Sequence, residues 1–161
     1  MSSDPWLSAS QQAAWRAFLT MSGELNERIE RDLHAAAGMP HAYFIILVSL
    51  SEAPDGCLRM NQLATAARSS QSRLSHAVAR LEQSGWVRRT PAPGDRRGQI
   101  AELTPAGRAE LERVAPGHAE TVRSMVFDGL DDDQVAELRH ICEIVTARLT
   151  QDTLRPGHRH S

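Results

Sequence analysis

Between Ser10 and about Ala37 the apolar residues Trp15, Phe18, Leu25, Ile29 and Leu33 recur at helical spacing, with no proline and only Gly23 as an interior weak point. The pattern predicts one long helix. Gly38 is placed to end it, and Pro40 suits the first turn of a second helix. That second helix carries Tyr43, Phe44, Ile45, Ile46, Leu47, Val48 and Leu50, a run dense enough to be buried on most sides. Ala53-Pro54-Asp55-Gly56 breaks the chain, and Cys57-Leu58-Arg59-Met60 reads as a short strand.

Met60 or Asn61 then opens a short helix through Leu63, Ala64 and Ala67, and Ser69-Ser70 offers hydroxyls to cap the next, which runs to Ser84 and stops at Gly85. In this second short helix Leu74, Ala77, Val78 and Leu81 form one apolar stripe. Gln71, Ser72, Arg73, Ser75, His76 and Arg80 lie on or beside the opposite face. Trp86 to Thr90 reads as a strand, Pro91 to Gly98 as a loop bearing Arg96 and Arg97, and Gln99 to Leu103 as the returning strand.

Thr104-Pro105 places a capping hydroxyl before a first-turn proline, so a further helix starts there and continues, interrupted near Pro116-Gly117, to Phe127. Asp131 is placed to cap the last helix, with Gln134 three residues on. Along that helix Val135, Leu138, Cys142, Val145 and Leu149 alternate steps of three and four, the seam of a helix packing on another helix of the same or a second chain. The remainder, 151–161, reads as a flexible tail. Its His158-x-His160 pair lacks a nearby third ligand, so no metal and no cofactor is expected.

Composition narrows the class. At 161 residues, 41% apolar and 24% charged, the chain suits one folded unit. No apolar run is long enough to span a bilayer and Met1-Ser2-Ser3-Asp4 is not the start of a signal peptide, so a cytoplasmic protein without membrane association is expected. Two cysteines, Cys57 and Cys142, are too few for a disulfide scaffold.

The formal charge of −2 conceals an asymmetry. All the basic side chains are arginine, and seven of them (Arg68, Arg73, Arg80, Arg88, Arg89, Arg96, Arg97) stand between positions 68 and 97 against Glu82 and Asp95. That stretch carries +5 and leaves −7 for the rest. A basic island in an acidic protein binds a polyanion and orients the encounter. A helix fits the major groove of B-DNA, where arginine, glutamine and serine can bond to base edges or phosphates. The candidate DNA-binding residues are therefore Ser70, Gln71, Ser72, Arg73, Ser75, His76 and Arg80 on the helix, with Arg88, Arg96 and Arg97 on the hairpin, where a tip arginine can enter the minor groove. Asp95 is expected to pair with Arg97 or a neighbour and so shape the loop.

A helix-turn-helix followed by Gly85-Trp86-Val87-Arg88-Arg89 and then Asp95-Arg96-Arg97-Gly98-Gln99-Ile100-Ala101-Glu102-Leu103-Thr104-Pro105-Ala106-Gly107 resembles the MarR family, whose wing carries Asp-x-Arg, then Leu-Thr, then Gly. Asp95 and Arg97, Leu103-Thr104 and Gly107 fall on those positions. The resemblance implies a mainly α fold with a small β-hairpin wing, a winged helix-turn-helix (39–104) flanked by an N-terminal dimerisation helix (1–38) and C-terminal dimerisation helices (105–150). It further implies a homodimeric regulator, commonly a repressor, that binds double-stranded DNA at a pseudo-palindromic site and is released by a small aromatic or phenolic effector. The seam from Val135 to Leu149 suits the dimer. By residue type and place, Trp15, Arg16, His41, Tyr43 and Phe44 are the effector-pocket candidates, although aromatics at helical spacing usually pack, so Trp15 and Phe44 are read first as core. The family's peroxide-sensing branch keeps its cysteine in the first helix, and 1–37 contains none.

An HExxH, a nucleophile elbow, a Walker loop and a dinucleotide fingerprint are all absent from the sequence, so an enzyme is not expected. Two other readings stay open, a winged-helix module for protein interaction and a non-specific DNA-binding protein.

Overall fold

The computed structural model describes residues 6–153, the side chains of Arg96, Arg97, Asp152 and Thr153 excepted. The chain divides into two compact units, residues 1–121 and 122–161. The first contains α1 (Ala9–Ala37), α2 (His41–Ser51), a 3-10 turn at Pro54–Gly56, β1 (Cys57–Arg59), α3 (Met60–Ala66), α4 (Gln71–Gln83), β2 (Val87–Ala92), β3 (Asp95–Leu103) and nearly all of α5 (Pro105–Val122). The second contains a π-helical turn, Arg123–Phe127, and α6 (Asp132–Thr153).

Local chemistry sets these boundaries. Ser8 caps α1, its hydroxyl accepting from the Gln11 amide while Gln11 reaches back to the Ser8 amide. Gly38 ends α1 in the left-handed region at φ 60°. Pro40 stands just before α2, one position earlier than its helix-start reading. Ser70 caps α4 through the Arg73 amide, and at the other end the Trp86 amide returns to the Leu81 carbonyl past Gly85 at φ 74°. Asp131 and Gln134 cap α6 reciprocally, at 2.8 and 3.0 Å.

The core of the first unit gathers around α2. Phe44, Ile46, Leu47 and Leu50 are buried there, with Leu63 of α3, Leu74, Val78 and Leu81 of α4, Val87, Ala101 and Leu103 of the sheet, and Leu111 and Val114 of α5. The apolar series of α1 divides. Ile29 and Leu33 are buried and Leu25 is half-buried, whereas Trp15 and Phe18 remain 51% and 52% exposed and stack on each other with ring centroids 5.8 Å apart. Phe44 is core as expected; Trp15 is not.

The sheet is three-stranded and antiparallel in the order β1-β3-β2, so the hairpin is joined by the short strand before α3. Both hairpin strands are longer than their sequence pattern suggests. Pro91 and Ala92 belong to β2, Asp95 to Gly98 belong to β3, and the turn is only Pro93-Gly94. Pro91 is tolerated because β2 is an edge strand, where a missing N–H leaves no ladder bond unmade. The register jumps after Pro91, which pairs with Gln99, to Ala92, which pairs with Asp95, leaving Arg96, Arg97 and Gly98 as an irregularity in β3. Pro116 likewise lies inside α5, which runs on without the expected interruption. At the other end, 151–153 belong to α6 rather than to a tail; the rest of that tail, His158 and His160 included, lies outside the described residues.

One junction joins three of these elements. The Thr104 hydroxyl donates to the Gly85 carbonyl at 2.7 Å and accepts from the Gly107 amide at 3.0 Å, while the Thr104 amide donates to the Trp86 carbonyl. Gly107 is packed so closely that a Cβ there would stand 2.1 Å from the Trp86 carbonyl oxygen. The obstacle is backbone and cannot rotate away. Gly107→Ala is therefore expected to cost about 1–3 kcal/mol, the usual range for forced overpacking, read as a lowered urea midpoint with an unchanged slope.

Candidate nucleic-acid interface

Helix α4 buries Leu74, Ala77, Val78 and Leu81 against the core. That choice of face turns Gln71, Ser72, Arg73, Ser75, His76 and Arg80 outward, and all six are exposed. Ser70 is exposed too, with its hydroxyl engaged in capping. Among the described residues Arg73 makes no ion pair. Arg80 donates to the Gln83 side chain at 3.1 Å. Arg68, in the turn between α3 and α4, takes the left-handed conformation at φ 49° and is exposed.

The hairpin arginines are not equivalent. Arg88 lies opposite Glu102 in the β2–β3 ladder and donates to its carboxylate at 2.7 and 3.3 Å. That carboxylate holds the Arg88 guanidinium pKa above its ordinary value. The side chain is nonetheless 64% exposed, so the pair is a surface one. Arg89 turns back to Glu82 of α4, which accepts from its guanidinium at 2.6 Å and from its backbone amide at 3.0 Å. Among the described island side chains, Arg88 and Arg89 are thus committed to acids within the fold. Asp95 accepts from Arg59, the residue before α3, at 3.4 Å. The sequence supplied no signal for this pair, whose members are 36 positions apart. The Arg96 and Arg97 side chains, the tip candidates and the expected partner of Asp95, lie outside the described residues.

The five effector-pocket candidates fall in two places. Trp15 and Arg16 are exposed on α1, and Arg16 donates to Gln12. His41, half-buried, and Phe44, buried, meet a residue the sequence reading missed, His118 of α5. Its ring lies 4.4 Å from that of Phe44 and 5.7 Å from that of His41. Tyr43 is half-buried. The His41 amide donates to Glu30 of α1 at 2.6 Å, and Trp15 stands fifteen residues earlier on α1, roughly 22 Å along its axis. His118 borders a cleft of about 440 Å³ between α1 and α5, lined also by Ile29, Asp32, Leu33, Val114 and Thr121. The Asp32 carboxylate accepts from the Thr121 hydroxyl at 2.7 Å and from Arg28 at 2.8 Å, bonds that hold its pKa below the ordinary value. Among the described residues His118 Nδ1 is buried with no hydrogen-bond partner. Burial pushes the His118 pKa down and the neighbouring His41 pushes it further; burial also lowers that of His41, against the Glu30 carboxylate.

The seam residues of α6 sit at the surface. Val135 and Leu138 are half-buried, while Cys142, Val145 and Leu149 are exposed, as are Ile141 and Ile144. Cys57 is half-buried, and burial first, then the Glu102 and Asp55 carboxylates, push its thiol pKa up, which makes it a poor nucleophile. Among the described residues no three His, Cys, Asp or Glu side chains cluster as a metal site would require. No single helix there is long and apolar enough to cross a membrane; α1 and α2 meet that test only as a pair bent by 78°, and the α2 side chains named above are core.

Residues 37–98 match the model of the MarR family. PecS, an HTH-type transcriptional regulator of Dickeya dadantii, is 33% identical over 92 residues, which are 57% of this chain and 55% of PecS. The chain therefore matches little more than half the length of that relative. Among solved structures, Sco3205 of Streptomyces coelicolor, a MarR family transcriptional regulator in complex with DNA, superposes with a TM-score of 0.87 at 47% identity, covering 90% of this chain and 91% of that one. AbsC of the same organism, also a MarR family transcriptional regulator, gives 0.86 at 37% identity over 91% and 98%. Transcriptional regulators, not enzymes, are what this chain is similar to. Identity at this level over nine-tenths of both chains, together with a winged helix-turn-helix joined at buried Leu103, bonded Thr104 and close-packed Gly107, places the chain in the MarR family of transcriptional regulators.

Proposed function

We propose that this protein is a homodimeric repressor that binds a pseudo-palindromic DNA site, with α4 in the major groove and the β2–β3 hairpin over the adjacent backbone and minor groove. The observation that carries this reading is the outward face of α4, where Gln71, Ser72, Arg73, Ser75, His76 and Arg80 are exposed together on a helix fixed by its own buried stripe. A helix fits the width of the major groove, and polar side chains such as these can donate to or accept from base edges there. The DNA complex reported for Sco3205 supports the same reading. Arg73, which no acid claims among the described residues, is the base reader, whereas Arg88, held by Glu102, adds charge near the backbone. The exposed Val145, Leu149, Ile141 and Ile144 of α6, with Trp15 and Phe18 of α1, are the apolar surfaces a second copy would cover.

The cleft beside His118 is where a small aromatic or phenolic effector would bind. It has the size of a small-molecule site and mixes apolar walls with few polar groups. On this reading the effector meets His118 rather than Trp15 or Arg16, and His41 and Phe44 take part only through their ring contacts with His118.

Arg73→Ala is expected to relax preference at one base position per half-site, costing on the order of 1–3 kcal/mol for a lost bidentate contact, measured by competition among single-base variants of the operator. Equal weakening on every sequence would remove Arg73 from the base readers. Val145→Glu, exposed in the single chain and so harmless to its fold, is expected to give monomers by light scattering and to lose tight operator binding. Because the fold favours neutral His41 and His118, the unfolded chain takes up protons near pH 6.5 that the fold resists, so this pair removes stability as the pH falls through that region. Between about pH 7.5 and about pH 5.5 the urea midpoint of His118→Gln should fall less than that of the parent protein.

A further inference from the structure

The geometry points to Arg59 as a positioning residue for the wing, a tether that ties the turn end of the β2–β3 hairpin to the start of the helix-turn-helix through Asp95. This rests on the DNA-binding reading above for its effect on affinity, though not for its effect on the free protein.

Three observations meet at this point. Arg59 ends β1 and stands immediately before α3, so its backbone is fixed twice. It pairs with Ile100 in the β1–β3 ladder, and its amide donates to the Gln62 side chain in the first turn of α3. From that anchored position its guanidinium reaches Asp95 at the first residue of β3, 3.4 Å away. The third observation concerns Gly98. A Cβ there would stand 2.5 Å from Asp95 Oδ2 and 2.8 Å from Asp95 Cγ, so the carboxylate lies folded over the bare Cα of Gly98. Glycine at this position is explained by the room the carboxylate needs, since Gly98 itself does not adopt a positive φ.

The location gives the tether its consequence. Arg59, Asn61, Gln71, Asp95 and Gly98 border one surface groove, which separates the first residue of α4 from the turn end of the wing. The ladder stiffens the hairpin along most of its length, but the register is irregular between Pro91 and Ala92, so the stretch 96–98, between the Ala92–Asp95 and Pro91–Gln99 pairs, lacks regular pairing to hold it. An ion pair to a fixed arginine supplies what the ladder omits there, and with it the spacing between the wing and α4, which a duplex must satisfy at both contacts at once. Both side chains are about half exposed, 44% and 48%, so the pair is a weak one and its effect is a bias on wing position, screened by salt.

The test has two readouts on the full-length protein. In the absence of DNA, amide hydrogen exchange over 95–99 is expected to quicken in Arg59→Ala and in Gly98→Ala, with exchange in α4 unchanged. In operator titrations Arg59→Ala is expected to weaken binding roughly two- to five-fold on every sequence, as loss of an exposed pair would, and Arg59→Lys to retain part of the affinity. The decisive comparison is the double variant: Arg59→Ala should cost nothing further on an Asp95→Ala background. If the two losses add in full, Arg59 contacts phosphate directly and the tether is wrong. Unchanged exchange over 95–99 in Arg59→Ala overturns it as well. Should the parent protein bind no duplex, the DNA reading fails, and the exchange experiment still decides the tether.

Discussion

The contact of Gly107 with the Trp86 carbonyl, braced by Thr104, is the constraint on which the winged unit depends. Trp86 follows the end of α4, Thr104 follows the end of β3, and Gly107 lies in the first turn of α5, so one cluster of backbone bonds sets the recognition helix, the hairpin and the next helix in a single relation. A side chain at 107 or the loss of the Thr104 hydroxyl would disturb all three together. Given this junction, burying Leu74, Ala77, Val78 and Leu81 decides which face of α4 meets solvent, and therefore which side chains meet a partner.

The arginine island then separates by task. Arg89 joins the hairpin to α4 through Glu82, and Arg88 joins the two strands through Glu102. Arg73 and Arg80 stay on the exposed face. Counting charge along the chain treats these groups alike, yet a guanidinium already engaged by a carboxylate offers a polyanion less than a free one does. Among the described island arginines, those without a carboxylate partner are Arg68, Arg73 and Arg80, on α4 and its preceding turn.

Much of this was legible in the sequence because much of it is local. Ser70, Gly38, Gly85 and the Asp131–Gln134 pair act within a few residues of their own positions, and the stripe of α4 follows from helical periodicity alone. What sequence could not supply depends on neighbours distant along the chain. Pro91 enters a strand because that strand happens to be an edge. Trp15 shares a helical period with Ile29 and Leu33, but periodicity names a face without naming what covers it, and the chain covers only the C-terminal part of α1. His118 carried no pattern at all; its meaning arises from meeting Phe44 and His41, more than seventy positions earlier. The Arg59–Asp95 pair is of the same kind.

Whether the exposed face of α4 reads DNA sequence is decided by titrating the purified protein against duplex from its own upstream region and against random duplex at two salt concentrations. The expected result is tight binding to one palindromic site, weakening steeply with salt, with a much lower affinity for random duplex. Equal affinity for both duplexes would contradict sequence reading by α4, and binding indifferent to salt would contradict the role assigned to its arginines.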